Sequence, residues 1–427
     1  MLTILLLLVV ATGLDHRFLG GESGFVSFSI AELLAYVLGL LLFLNFCARG
    51  PQYRSHVVFA LKRSNGYVWI YFAWAALSAL ANLALKANRD ALHSLKDTIP
   101  ALAVFVGLVV LVSDRRRLGR THRAVMVGLA LVSVLAISQQ VFGGPYPTTV
   151  DPNAYLKTTM GEGSVVAHPV VGTLGHPNGL AEFLAPLIVL SVGYLVQGRD
   201  VIPRTNKVLW FGAIGVSTLA LVLTQGKAAF AWALAGTGLT LWFAYNRTRF
   251  SPARALTLEA GLMCAAVGGL FLLFAIAGHL PEGLRPGTLA TRMVINYAAL
   301  QEATQTRGVM GFGGGLKMFG ESAAGATLKL GVHGEYLSQL LRFGLPGALL
   351  FLAALLQAVR TPGRRGWVYA LPAVTLTLIY VLESGAGSQL QTLPFILCGF
   401  AAANKVLTAR EDLALEVART TTTSGVA

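Results

Sequence analysis

The chain has 427 residues, of which 55% are hydrophobic and only 12% charged, and its mean hydropathy is +0.66. This composition excludes a soluble globular domain and is typical of an integral membrane protein. The net charge of +14 comes from basic residues scattered over short turns. That is not the pattern of a nucleic-acid interface, so no nucleic acid is expected as a partner.

Twelve apolar stretches follow one another, most of them close to the roughly 20 residues that a helix needs to cross a bilayer. We predict helices rather than strands, because an isolated strand cannot pair its backbone groups within lipid. Residues 1–409 are therefore predicted to form one all-α polytopic membrane domain. The stretches lie at about 1–14, 28–48, 66–85, 98–113, 122–142, 178–197, 206–224, 227–245, 255–277, 335–358, 367–383 and 388–407.

The two ends of the chain need separate treatment. The first stretch is short and has the apolar character of a signal peptide, but no small-residue cleavage site follows it, so it is kept as a span. The polar tail at 410–427, which ends in a run of threonines, is predicted to be disordered.

Basic residues concentrate in alternate gaps between the apolar stretches. The second, fourth, sixth, eighth and tenth gaps include Arg54, Arg116, Arg204, Arg249 and Arg364. The positive-inside rule places these gaps and both termini in the cytoplasm. The two longest gaps, about 143–177 and 278–334, then share the outer face.

The second outer loop, between spans nine and ten, is the most distinctive segment, since loops of this length are usually functional or disordered. From Leu289 onward, apolar residues recur on one helical face, which predicts an amphipathic helix that lies at the membrane surface and holds Arg292 there. The loop is thus predicted to be partly helical. The glycine-rich run Gly308–Gly315 follows, and it favours a turn at which backbone segments approach closely.

Three side chains are candidates for chemistry. His333 begins a span, where the helix amino end disfavours imidazolium, so a neutral ring is available to accept a proton from a sugar hydroxyl. Lys227 and Arg292 are cations on the outer face and suit a lipid diphosphate. Each has an ordinary alternative: a hydrogen-bonded interfacial histidine, a lysine that reaches lipid headgroups, and an arginine anchor.

Other titratable residues give weaker signals. Arg342 lies one or two turns inside a span and needs a partner, for which Glu182 and Glu383 are the candidates. The spacing of His168, His176 and His333 matches no compact ligand motif, so no metal is expected. The glycine run lacks the Gly-Lys-Ser/Thr ending of a nucleotide-binding loop. The cysteines, which are predicted to be small core residues, are Cys47, Cys264 and Cys398.

Several motifs occur in a fixed order between about Gly172 and Leu350. They are Gly-His-Pro-Asn-Gly-Leu-Ala (175–181), Thr-Gln-Gly-Lys-Ala-Ala (224–229), Thr-Arg-Met-Val-Ile-Asn-Tyr (291–297), Gly-Phe-Gly (311–313), His-Gly-Glu-Tyr-Leu (333–337) and Phe-Gly-Leu-Pro-Gly (343–347). In their order and sidedness they resemble the O-antigen ligase and O-antigen polymerase superfamily of bacterial envelope glycosyltransferases.

The resemblance implies a metal-independent transferase without cofactors, with its active site on the periplasmic face of the bacterial inner membrane. It would move a glycan from undecaprenyl diphosphate, supplied through the bilayer lipids, to the lipid A core (ligase) or to a growing glycan (polymerase). By motif position the catalytic residues are His333, Arg292 and Lys227. We assign substrate binding to His176, Asn178, Glu335, Tyr336, Arg342 and Glu383.

The chain departs from the family pattern at three positions. Lys227 stands where the family usually has arginine, Gly334 where asparagine often follows the histidine, and Arg342 where an acidic residue is common. A polymerase is the first alternative to a ligase. A transporter or flippase is the second alternative. It predicts broken spans, charges near mid-bilayer and an internal repeat, whereas the charges of this sequence lie towards the outer edge and no repeat is visible. A structural scaffold is the third.

Overall fold

A computed structural model shows a helical bundle with one short antiparallel ribbon, β1 (Arg17–Leu19) against β2 (Phe28–Ser29). The fold class is therefore helical, as predicted. The structure describes residues 1–12, 17–19, 28–86, 90–142, 177–197, 204–246, 257, 261, 300–301, 304, 309–314, 334–360, 366–382 and 388–424.

The helices whose bounds the structure gives follow one another along the chain. In chain order they are α1 (Leu2–Ala11), α2 (Ile30–Ala48), α3 (Pro51–Arg63), α4 (Gly66–Lys86), α5 (Asp90–Leu111), α6 (Arg115–Phe142), α7 (Pro177–Gln197), α8 (Arg204–Leu223), α9 (Lys227–Asn246), α10 (Val309–Phe312), α11 (Glu335–Val359), α12 (Trp367–Leu382) and α13 (Ser388–Ser424).

Seven described helices are long and apolar enough to cross a membrane: α2, α4, α6, α7, α9, α11 and α13. Shorter apolar helical segments lie in α1, α5, α8 and α12. These eleven helices coincide with eleven of the twelve predicted stretches, and nearly all of the remaining one, 255–277, lies outside the described residues. Length and apolarity thus make the chain compatible with a membrane protein.

The centre of the bundle is α7, in which 89% of the residues of the apolar stretch are buried. It packs against α8, α9 and α12, and α12 in turn contacts α11 and α13. By contrast, only 22% of the residues of the apolar stretch of α9 are buried, so α9 lies at the edge of the described bundle. An apolar helix exposed in this way is expected to face lipid.

One end of the bundle, which we call the basic end, is defined by His56, Asn65, Arg115 and Arg410. Arg115 Nε donates to Glu411 Oε1 at 2.8 Å, which links the start of α6 to α13. An Arg410 guanidinium nitrogen lies 3.2 Å from a His56 ring nitrogen, which links α13 to α3. Asn65 Nδ2 donates to the carbonyl of Ala354 at 2.8 Å, which brings the start of α4 to the second half of α11.

The opposite end, which we call the loop end, is defined by Ala181, Gly226, Tyr336 and Tyr380. A Cβ added at Gly226 would lie 2.6 Å from Ala181 Cβ, so the start of α9 touches the first turns of α7. Tyr336 Oη donates to the carbonyl of Thr377 at 3.4 Å, which joins the start of α11 to the end of α12. The amino ends of α7, α9 and α11 therefore lie at the same end.

Helix α11 is broken at Gly344, which has a non-helical conformation (φ 75°, ψ −179°). The break leaves carbonyls in the preceding turn without their usual helical donors. Leu341 O accepts from Gly314 N–H at 2.7 Å, and Phe343 O accepts from Trp74 Nε1 at 2.8 Å. The Gly-Phe-Gly turn and a tryptophan of α4 thus satisfy the broken backbone, as a membrane interior requires.

Helix α4 holds the same turn through a stripe of side chains at helical spacing. The Trp74 ring stacks on Phe312 with centroids 5.3 Å apart and an interplanar angle of 6°. Phe312 O accepts from Ser78 Oγ and from Asn82 Nδ2, the latter at 3.1 Å. Residues 311–314 of the long loop are therefore fixed against α4 and α11, two turns after the start of α11.

The last helix extends further than the sequence predicts. Disorder is predicted from Arg410, whereas α13 remains helical to Ser424. Contacts at the basic end explain the difference in its first turn: Arg410 Nη1 donates to Ser113 O at 3.3 Å, and Glu411 pairs with Arg115. Ordering the polar tail costs conformational entropy, and the tail is not hydrophobic enough to offset this cost by burial. The bonds to Ser113 and Arg115 offset it instead.

The break in α11 generates a stability prediction. Gly344→Ala places a Cβ against the Gly311 carbonyl and forces alanine into a positive φ, a conformation that costs about 1–3 kcal/mol by itself. We expect a lower thermal unfolding midpoint in detergent. Gly212→Ala is the matched control, because nothing lies within 4 Å of its added Cβ. Equal midpoints for the two variants would contradict this account of the break.

The contact between α3 and α13 generates a pH prediction. Burial, and next the Arg410 guanidinium, lower the pKa of His56, although a hydrogen bond to the Val110 backbone opposes them. The neutral ring therefore stabilises the fold above the usual histidine pKa of about 6.5, and this contribution is lost as the pH falls. From about pH 7.5 to about pH 5.5 the unfolding midpoint should fall more in the unmodified protein than in His56→Gln. If the unfolding midpoints of the two proteins changed in parallel with pH, this role of His56 would be refuted.

Candidate functional site

The first half of α11 presents a row of buried polar side chains. Glu335, Gln339 and Arg342 are spaced by four and three residues, so they lie on one helical face, and each is at most 3% exposed. The helix begins after Gly334, whose φ of 109° and ψ of 113° are open to glycine but not to residues with a Cβ. This conformation explains why glycine, and not asparagine, follows His333.

A hydrogen-bonded chain connects this row to α4. Tyr71 Oη donates to Gln339 Oε1 at 2.8 Å, and Gln339 Nε2 donates to Glu335 Oε1 at 2.7 Å. Tyr71 lies one turn before Trp74, so the stripe that holds the Gly-Phe-Gly turn also reaches the buried carboxylate. Glu335 and Arg342 both interact electrostatically with the Tyr71 phenol. These two hydrogen bonds fix the orientation of the Gln339 amide and of the Glu335 carboxylate.

A second buried carboxylate lies near this chain. Glu182, in the second turn of α7, is 1% exposed and interacts electrostatically with the Tyr380 phenol of α12. Glu335 and Tyr336 act on the same phenol. The loop end thus gathers acidic and phenolic groups from α7, α11 and α12 around Tyr380. Such groups orient hydroxyl-bearing ligands through hydrogen bonds.

The turn before α9 holds Lys227 at the edge of this region. Thr224 Oγ1 donates to the carbonyl of Leu221 at 2.6 Å and accepts from the Gly226 N–H at 3.1 Å. Gln225 takes a positive φ of 57°, which closes the turn, and Gly226 has no side chain to separate it from α7. Lys227 is exposed at the first position of α9.

The predicted site residues therefore fall into two described groups. Glu335, Tyr336 and Arg342 lie along α11, and Lys227 lies beside the first turns of α7, in which Asn178 is half-buried. Both α9 and α11 contact α7 or α12 at the loop end. The remaining predicted site residues lie outside the described part of the chain: His333, Arg292, His176 and Glu383.

Three residues of this region were not predicted from the sequence: Tyr71, Gln339 and Tyr380. Gln339 could have been predicted, because a polar residue four positions after Glu335 in an apolar span falls on the same helical face. Tyr71 and Tyr380 could not, because a tyrosine near a span end is ordinary in membrane helices.

The arrangement combines an exposed cation at a bundle edge with buried carboxylates and phenols a few turns away. An exposed lysine at a helix start attracts an anion together with the helix dipole. Buried carboxylates bonded to neutral donors hold polar ligands in a defined orientation. The loop end is therefore suited to a ligand with an anionic part and hydroxyl groups.

No protein-family model matches the chain, and no curated protein matches it either. The family resemblance therefore rests on the sequence motifs.

The Tyr71–Gln339–Glu335 chain generates a stability prediction. Gln339→Leu removes the central member and leaves two buried polar groups without these bonds, at about 1–3 kcal/mol for each unsatisfied group. We expect a lower unfolding midpoint in detergent than for Gln52→Leu, which makes the same change at an exposed position of α3. Tyr71→Phe should add little to Gln339→Leu, because the two changes remove a shared bond. If the two changes lowered the unfolding midpoint additively, the hydrogen bonds of Tyr71 and Gln339 would not be coupled.

Proposed function

We propose that the protein is a membrane glycosyltransferase of the O-antigen ligase and polymerase type. It transfers a glycan from undecaprenyl diphosphate to an acceptor sugar, with the lipid A core as the acceptor of a ligase. The observation that supports the proposal best is that the starts of α7, α9 and α11, which carry motif residues from separate segments, lie at the same end of the bundle. Lys227 begins α9 beside the first turns of α7, and Glu335 and Arg342 lie on α11, which begins directly after His333 and Gly334.

The proposed reaction follows from charge and proton transfer. The bond between the anomeric carbon of the donor sugar and its phosphate oxygen breaks, and a bond from that carbon to the acceptor oxygen forms. Lys227 and Arg292 stabilise the negative charge that develops on the departing undecaprenyl diphosphate. His333 orients the acceptor hydroxyl and takes its proton. Glu335 and Tyr336 hold acceptor hydroxyls, with His176, Asn178, Arg342 and Glu383 as further contacts.

The proposal includes a topology of twelve spans with both termini in the cytoplasm of a bacterium. The loop end then faces the periplasm, and the loops at about 143–177 and 278–334 cover it. The basic end, which carries α3 and the arginines of α6 and α13, faces the cytoplasm in agreement with the positive-inside rule. The edge position of α9 supports lateral access, since a lipid carrier would reach Lys227 from the bilayer.

One feature favours a second candidate, a transporter or flippase. Helix α11 is broken at Gly344, two residues after the buried Arg342, and broken helices with buried charges occur in transporters. Transport of a labelled lipid-linked glycan into vesicles without covalent change would support this candidate.

A charge-reduction series tests the proposed transfer. Lys227→Ala should lower glycan transfer about a hundredfold or more, as expected for loss of one group that stabilises developing charge. Lys227→Arg should keep most activity, because it keeps the cation. Arg292→Ala and His333→Ala should also abolish transfer. The measurement is the yield of product glycan from lipid-linked donor in membranes with matched protein levels.

Lys62→Ala is the matched control, because Lys62 is an exposed lysine on α3, which lies at the basic end. Full activity in Lys227→Ala, Arg292→Ala and His333→Ala would refute the proposal. The glycan profile of a deletion strain separates the two transferases. Loss of long chains from lipopolysaccharide with continued lipid-linked polymer indicates a ligase, and accumulation of single repeat units indicates a polymerase.

A further inference from the structure

A cleft of about 180 Å³ opens at the basic end, where the turn before α4 meets the ends of α11 and α13. Asn65 lines it and bonds to Ala354, which lies 19 residues after Glu335 in α11. That separation corresponds to roughly 28 Å along a helix. The cleft is therefore distinct from the loop end, and its role does not depend on the proposed glycan transfer.

Two cations line the cleft without an ionic partner. Lys405 of α13 is half-buried and Arg360 caps the end of α11, and within the described ranges neither forms an ion pair. None of the residues that line the cleft is acidic. Other arginines at this end are used within the fold, as Arg115 is by Glu411. Two cations that line one cleft, without an ion pair among the described residues, attract an anion.

The donors that we assign to that anion are side chains. Two backbone N–H groups in the first turn of α4 are already occupied, since those of Tyr67 and Val68 donate to Asn65 Oδ1 at 3.1 and 3.3 Å. Tyr67 at the rim carries a hydroxyl, and Gln357 on the α11 wall carries an amide. These neutral groups stand with the two cations around the opening, which suits the several oxygens of a phosphate group.

The rest of the cleft is lined by Ser64, whose hydroxyl is bonded to Leu61 and Trp69, and by four small, mostly apolar side chains, namely Ala358, Cys398, Ala401 and Ala402. This wall suits the glycerol and upper acyl region of a lipid better than a fully hydrated ion. Ile70, one turn after Tyr67 on α4, is exposed and apolar. Basic pockets between helices at a membrane surface are known to take anionic lipid headgroups.

We propose that this cleft binds a phosphate group, and that its source is an anionic phospholipid of the leaflet at the basic end. Lys405 and Arg360 hold the phosphate oxygens, Tyr67 and Gln357 donate to them, and the small residues of α11 and α13 receive the glycerol. A free phosphate ion has the same recognition chemistry, so the experiment separates the two sources.

Lipid retention by the purified protein tests the proposal through native mass spectrometry. Phosphatidylglycerol should bind more tightly than phosphatidylcholine. Lys405→Ala should weaken phosphatidylglycerol binding about fivefold, and Lys405→Ala with Arg360→Ala about 25-fold, as expected for removal of one and two cations near a membrane surface. Lys62→Ala is the matched control, since it removes an exposed lysine of α3 that does not line the cleft. Its lipid binding should not change.

Three outcomes would overturn the proposal. Equal weakening by Lys62→Ala and Lys405→Ala would show non-specific attraction, and no weakening by the double substitution would show that the cations do not hold lipid. Stabilisation by inorganic phosphate that depends on Lys405, together with phosphatidylglycerol binding that does not, would identify free phosphate as the ligand. Each readout is binding, so failure of glycan transfer would leave this test unaffected.

Discussion

The requirement that every backbone polar group be paired within a bilayer explains the most unusual part of this fold. Gly344 breaks α11 and separates the carbonyls of Leu341 and Phe343 from their helical donors. The partners come from the Gly314 N–H and the Trp74 indole, at 2.7 and 2.8 Å. A break of this kind is stable only if another segment pairs the freed carbonyls, and residues 311–314 of the long loop contact α11 at this point.

The same requirement connects the loop to the candidate site. Helix α4 holds the returning turn with Trp74, and one turn earlier its Tyr71 bonds to Gln339. A shift of α4 relative to α11 would therefore disturb the turn and the carboxylate of Glu335 together. The fold thus provides a rigid base for a site whose remaining residues belong to the loops.

Hydropathy predicted most of the helices, because a span of sufficient length and apolarity has few alternatives in lipid. The glycine-rich turn was also predictable, since such a run permits close backbone approach. The Tyr71–Gln339 bond was not, because it depends on which helices are neighbours, and periodicity within one helix does not report that. The extension of α13 beyond Arg410 was missed for a similar reason: Glu411 is stabilised by Arg115, nearly 300 residues away in sequence.

The charges of the chain serve different purposes at the two ends. At the basic end, Arg115 and Arg410 make internal bonds, so they tie helices together in addition to any effect on orientation. Lys405, Arg360 and Lys227 make no ion pair with the described residues. A cation at a helix start costs energy through the helix dipole, and a half-buried lysine costs desolvation. An external anion would offset both costs, and this is the physical basis of the anion sites proposed at Lys227 and Lys405.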